Sequence, residues 1–311
     1  MTARRLIVSA DDYGLTAAVD RGIVAAVARG SVTSVGVIPN LVEAGSLAQL
    51  VATRPGLSLG AHLNLTTGRP LSPAADVPSL VDADGTFHPL ATLTRRALAR
   101  RLRPPEIGRE LGAQLARLRA CGVAIDHLDS HEHVHLLPAV TAAVIGLARS
   151  TGVRRMRTHR PRLLGPRRSG ALSYYAHHPR RLATHALKRL LALRLRVAGV
   201  ATPDGMVAPS LLASPIAGGP RREWEAIVGL LPAGTWELVV HPADLGVAPR
   251  PGEEERLGDL VARRGAELAA LTDPGFHDVI AAAGVELVPF AAIPSRPGRI
   301  VAEERYVPRR A

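Results

Sequence analysis

The chain has 311 residues, 47% hydrophobic and 21% charged, enough apolar material for a sizeable core and too much for a disordered chain. Aromatics are only 3%, so the core must be Leu, Val, Ala and Ile, and the single cysteine, Cys121, excludes an intrachain disulfide and a Cys-based zinc site. The net charge of +12 is uneven: no acidic residue lies between Glu132 and Asp204, and thirteen basic ones run from Arg154 to Arg196.

The N-terminus carries no signal-peptide pattern, since apolar Leu6–Val8 runs straight into Asp11 and Asp12. No apolar run approaches the roughly 20 residues of a membrane span. A cytoplasmic protein is the simplest expectation. Residues 5–10 read as a short strand ending at Asp11-Asp12-Tyr13-Gly14. Thr16 can cap a helix with apolar Val19, Ile23, Val24 and Val27, closed by Gly30. Val32–Ile38 is a second strand, a helix follows from about Glu43 to Ala52, and Leu57–Leu65 is a third strand with His62 near its end. Strand–helix alternation argues for a parallel sheet with crossover helices.

Thr66–Pro89 is a loop rich in Pro, Gly and Asp, longer than an ordinary connection. A helix from Glu106 to Ala120 leads to the most unusual stretch of the chain, HLDSHEHVH at 127–135, which holds four of the twelve histidines. If it stays extended, His127, Asp129, His131, His133 and His135 all face one way. Imidazoles are costly to bury unpaired, so such a row suggests a metal or a reacting group. Pro138 starts the next helix, Arg154–Thr158 is a fifth strand, 160–203 is irregular and then helical, Trp236–Val240 is a strand ending at His241, Glu253–Leu271 and Gly275–Ala283 are helical, and Val285–Phe290 is the last strand. The expected architecture is one domain over 1–311, with about seven strands alternating with helices and a basic helical insert at about 160–203.

Parallel α/β folds carry reacting groups at the C-terminal ends of their strands. Asp11 and Asp12, His62, Asp129 and His131, and His241 all fall at such ends, so separate strands would deliver carboxylates and imidazoles to one rim. Together, LIVSADDYGL, GAHLNLT, HLDSHEHVH and VVHPAD, supported by PSLVDADGTF, GVATPD and RGAELAALTDP, resemble the YdjC-like carbohydrate deacetylases over about residues 5–290. That family includes chitooligosaccharide deacetylases and a hopanoid-associated branch.

The resemblance implies a distorted, TIM-barrel-like (β/α) barrel that uses one divalent metal ion, Mg²⁺ or Zn²⁺, to remove the acetyl group from an N-acetyl amino sugar. Carried over by motif, Asp12, His62 and His131 would be the metal ligands. Two imidazoles and one carboxylate leave positions open for water and substrate. Asp11 would be the general base and His241 the acid that protonates the departing nitrogen, by analogy with other metal-dependent polysaccharide deacetylases. His133 would orient a ligand by hydrogen bonding, Asp129 would orient an imidazole or serve as a turn residue, and His127 and His135 would support ligands or line a cleft. A homodimer is the family-level expectation.

Leu182–Val197 mixes leucines with His185, Lys188, Arg189, Arg194 and Arg196. Such a helix either packs its leucines on the barrel or lies on an anionic membrane surface. Tyr174, Tyr175, His177 and His178 just before it could line a sugar site or pack in a loop. Two other function classes compete: an Asp/His/His site also suits a non-haem iron oxygenase, and the charge suits a nucleic-acid binder. The strand–helix alternation disfavours the first. Confinement of the charge to one insert, with no recognised nucleic-acid motif, disfavours the second, so no nucleic-acid partner is expected.

Overall fold

A computed structural model describes residues 3–158, 179–207, 219–248, 250, 253, 256–257 and 261–294, with only the backbone at 179–186 and 219–220. Tyr174, Tyr175, His177, His178 and the side chain of His185 lie outside the described residues, as does the whole 160–178 part of the insert.

Strand β1 (Arg4–Tyr13) is the centre of the sheet, and its side chains alternate. Leu6, Val8 and Ala10 join the large apolar cluster shared with the helices, whereas Ile7 belongs to a separate small cluster. By the same two-residue period, Ser9 and Asp11 share the face of Ile7, the barrel interior. The other strands are β2 (Ser34–Val37), β3 (Ser58–Leu63), β4 (His127–Ser130), β5 (Gly205–Val207), β6 (Gly234–Val240) and β7 (Val285–Leu287). These seven strands pair in parallel, in the order β4-β3-β2-β1-β6-β5, with β7 added against the start of β1. Single-residue bridges, Leu128 to Met156 and Arg155 to Ala201, carry the hydrogen bonding from β4 round towards the stretch that becomes β5. The curled sheet is therefore a distorted barrel, as expected.

The helices are α1 (Ala17–Ala28), α2 (Ala44–Thr53), α3 (Leu90–Leu98), α4 (Pro104–Ala120), α5 (Pro138–Thr151), α6 (Pro179–Val197), α7 (Gly219–Leu230), α8 (Val261–Thr272) and α9 (Gly275–Ala282). Thr16 does cap α1, accepting from the Val19 N–H. Helices α3 and α7 were not anticipated.

Two sequence expectations need correcting. The His-rich strand ends at Ser130, not at His135: Glu132 (φ 48°) and His133 (φ 57°) turn the chain into a 3₁₀ segment over His131–Leu136. The five polar side chains therefore do not share one face. The stretch Arg154–Thr158 is not a full strand either; only residues 155 and 156 make bridges.

The end of the barrel where strands begin is closed by the chain after β7. Phe290 is fully buried with Ile7, Val288 and Ile293, and its ring stacks on His127 with centroids 4.0 Å apart. His127 is in register with Gly60, where an added Cβ would lie 2.3 Å from the imidazole Nε2. Glycine there makes room for the ring. His127 Nδ1 meets Asp126 at 2.6 Å and Nε2 meets Ser34 Oγ at 3.2 Å.

The long loop after β3 is fastened by buried polar groups of α4. Glu110 accepts from the Leu71 and Ser72 N–H groups, Glu106 from Ser79 N–H, and Gln114 bonds both backbone groups of Asn64. Asn64 and Asn40 then hold the turn at Thr67.

Candidate active site at the open rim

Consecutive residues of a strand point to opposite faces, so Asp11 and Asp12 cannot both face the interior of a regular strand. The chain solves this with a register shift between Ala10 and Tyr13 and a left-handed backbone at Asp12 (φ 75°), a conformation that Asp tolerates better than most residues. Both carboxylates then reach the cluster at the strand ends.

Asp12 Oδ1 lies 2.8 Å from His131 Nδ1 and 3.5 Å from His62 Nε2. Its other oxygen, Oδ2, accepts from Arg264 Nη2 at 2.7 Å. The three sequence-predicted ligands are thus brought together, Asp12 and His62 nearly inaccessible and His131 partly exposed, with one donor atom from each within 4.8 Å of the others. His62 and Asp129 are in register on β3 and β4, and His62 Nδ1 lies 3.0 Å from Asp129 Oδ2. That contact favours the proton on Nδ1 and leaves Nε2 facing Asp12, the arrangement that orients a metal-binding imidazole. Gly36 leaves the space between them: a Cβ there would sit 3.0 Å from both Asp129 Oδ2 and His62 Nδ1, and 3.3 Å from Asp11 Oδ1.

Below these groups lies a cation that sequence reasoning missed. Arg157 grips Asp11 with both Nη atoms at 2.6 and 2.7 Å, reaches Asp129 Oδ2 at 3.1 Å, and donates from Nε to Glu237 Oε1 at 2.8 Å. All four side chains are buried. Such a fork holds a carboxylate in one orientation. His241, on the segment after β6, approaches from across the rim, with Nε2 3.9 Å from Asp11 Oδ2 and a side chain about a third exposed (31%). Its backbone N–H donates to Glu267 at 2.6 Å. Arg264 and Glu267 stand one turn apart on α8, so one helix face holds both Asp12 and the His241 backbone.

The electrostatics suit a cation. Asp11, Asp12, Asp129 and Glu237 outnumber the guanidiniums of Arg157 and Arg264 by two. Burial opposes ionisation of Asp12, but His131 and His62 hold its carboxyl well below the usual range. Burial also opposes an imidazolium at His62, yet Asp129, Asp11 and Asp12 outweigh it and push its pKa up to about 10. Burial pushes Glu237 up against the pull of Arg157. A proton on His62 is thus answering a negative field that a divalent ion would also answer. The donor set of one carboxylate and two imidazoles fits such an ion.

The remaining histidines separate from this cluster. His127 belongs to the closed end. His135 is buried with Nδ1 on Ser130 Oγ, and burial lowers its pKa well below the ordinary value, so it is neutral. His133 is exposed on the turn, its ring 6.5 Å from that of His135. Among the residues missed, Glu237 had a visible signal, a lone acid inside the apolar run TWELVV. Arg157 is hidden in the basic run, and Arg264 and Glu267 lie within the segment RGAELAALTDP, where nothing local marks them.

Among the described residues, no helix is long and apolar enough to cross a membrane. A solved Enterococcus faecalis V583 protein, linked by its description to cellobiose-phosphate cleavage, superposes with a TM-score of 0.72 over 93% of this chain and 98% of its own, at 24% identity; at that identity the likeness concerns the fold. A carbohydrate deacetylase of Brevibacillus brevis is 42% identical over 144 residues, 46% of this chain and 55% of that one. One from Geobacillus stearothermophilus is 39% identical over 164 residues, 52% of this chain and 63% of that one. A chitooligosaccharide deacetylase of Yersinia pestis is 38% identical over 145 residues, 46% of this chain and 55% of that one. The matched part therefore spans less than two thirds of each of these relatives. The sequence pattern of the YdjC-like proteins, by contrast, matches residues 5–282, and the chain belongs to that family.

Proposed function

We propose that the protein is a metal-dependent hydrolase that removes the acetyl group from an N-acetylated amino sugar. One observation carries the reading: in a YdjC-like chain, Asp12, His62 and His131 converge at the open rim with Asp11 and His241 beside them. The relatives named as carbohydrate and chitooligosaccharide deacetylases support the substrate class.

Asp12, His62 and His131 would hold one divalent ion, Mg²⁺ or Zn²⁺, with imidazoles leaning towards zinc. When bound, the ion supplies Lewis-acid polarisation of the acetyl carbonyl and a more acidic water. The side chains supply the rest. Asp11 is held by Arg157 in one orientation and receives the water's proton as oxygen attacks the carbonyl carbon. His241, the partly exposed member, donates a proton to the nitrogen as the C–N bond breaks, giving acetate and a free amine. Asp129 keeps His62 turned towards Asp12.

The test is acetate release by metal-loaded protein from soluble N-acetylglucosamine oligomers and from lipid-linked N-acetylglucosamine. Release that stops with a chelator and with Asp11→Asn supports the reading, and the substrate series selects the sugar. Metal bound with no release from any acetylated sugar would overturn it.

A further inference from the structure

Among the described side chains, the C-terminal half of helix α6 has one buried apolar face and one exposed. Leu191, Leu195 and Ala198 are buried against the body of the protein. Leu190, Leu193 and Val197 are 43%, 57% and 77% exposed. Their spacing of three and four residues places them in one line along the helix. Exposed Arg194 flanks that line on one side, and exposed Arg189 and Arg196 on the other. An apolar stripe bordered by cations is what a helix lying in a membrane interface presents.

We propose that this face of α6 docks on an anionic lipid surface. Leu190, Leu193 and Val197 enter the boundary between headgroups and acyl chains. The arginine stems run along that boundary while their guanidiniums bond lipid phosphates. Charge selects this occupant. No acidic residue lies between Glu132 and Asp204, so nothing on the helix opposes an anionic surface. A second copy related by a two-fold axis would set these arginines against their own equivalents. Nucleic acid would take the arginines but gives the apolar stripe no partner along its phosphates. The position also has a consequence: α6 packs on the His131–Leu136 segment, so docking sets the rim that carries His131 beside the lipid surface.

The experiment uses the full chain and vesicles of phosphatidylcholine with or without phosphatidylglycerol, read by co-sedimentation. The protein binds the anionic vesicles, more weakly as salt rises. Leu190→Ser with Leu193→Ser lowers that affinity about ten-fold or more. Arg194→Gln with Arg196→Gln lowers it about five-fold per arginine. These side chains are exposed, so both variants should melt like the parent, and a thermal melt checks it. Absence of binding to anionic vesicles overturns the proposal. So does binding that the leucine variant leaves unchanged, a preference for duplex DNA over vesicles, or a dimer that the leucine variant dissolves without any vesicle binding. Vesicle binding is read without catalysis, so it stands or falls separately from the deacetylase reading.

Discussion

His127 and His131 stand four residues apart, one opening strand β4 and the other just past its end. At the closed end, His127 is stacked on Phe290, contacts Asp126 and Ser34, and is shielded from solvent. At the open rim, His131 meets Asp12, in a group where carboxyls outnumber guanidiniums and the backbone is left-handed at Asp12, Glu132 and His133. The first histidine is built into packing. The second sits where charge has been gathered and kept within reach of solvent. A histidine-rich motif is thus a supply of imidazoles, and the direction of the chain decides which become chemistry.

Substitutions can separate the two ends. The largest effect is expected from Asp12→Asn, which keeps the shape but removes the central anion: metal affinity, measured by titration calorimetry, should fall by more than the roughly 10–100-fold typical of losing an orienting partner, with acetate release lost alongside. Arg157→Met should be nearly as severe for a different reason. It leaves Asp11, Asp129 and Glu237 buried without their shared cation, at about 3–5 kcal/mol in a denaturant titration. If Arg157→Met proved neutral in stability, the rim's charge would not be held in the way described.

Phe290→Ala makes the opposite cut. It should cost about 3 kcal/mol of stability by opening a cavity under His127, while the folded fraction binds metal as the parent does. Loss of metal affinity in folded Phe290→Ala would show that the closed end helps to shape the rim. Arg264→Gln tests the outer support of Asp12. Metal affinity should fall about 10–100-fold, with Arg264→Lys recovering part of it. Equal affinity in Arg264→Gln would reduce that contact to packing.

The smallest expected effect concerns the price of charge near the rim. Burial lifts the Asp20 carboxyl to about 6, although the Gly14 N–H donates to it. An ionised Asp20 is therefore less welcome in the fold than in the unfolded chain, and the protein loses stability as pH rises from about 4 through about 6. Asp20→Asn keeps the acceptor and removes the charge. It should raise stability at neutral pH, with the gain vanishing below pH 4. Melting curves at the two pH values check the sign, and a gain equal at both would rule out ionisation as its cause.

The alternation of apolar strands with amphipathic helices made the parallel barrel legible, because burial on both sides of a strand leaves a continuous apolar run. The metal-site candidates were legible for a related reason. Asp11, Asp12, His62, Asp129, His131 and His241 are polar groups at or just past the ends of apolar strands, where packing alone would not place them, and the family resemblance singles out Asp12, His62 and His131 as ligands. The partners of those groups were not legible. Arg157 reaches Asp11 across 146 positions of sequence and Arg264 reaches Asp12 across 252, and no local pattern encodes contacts that exist only once the barrel closes. Nor could the sequence show that the His-rich segment turns after Ser130, since two adjacent left-handed residues, Glu132 and His133, override the alternation that their neighbours suggest. By itself the sequence determined the strand ends and the groups they carry, because hydrophobic period is local. Only the tertiary structure decided which groups meet, because that depends on register, on the bulge at Asp11–Asp12, and on the space that Gly36 and Gly60 leave for the imidazoles.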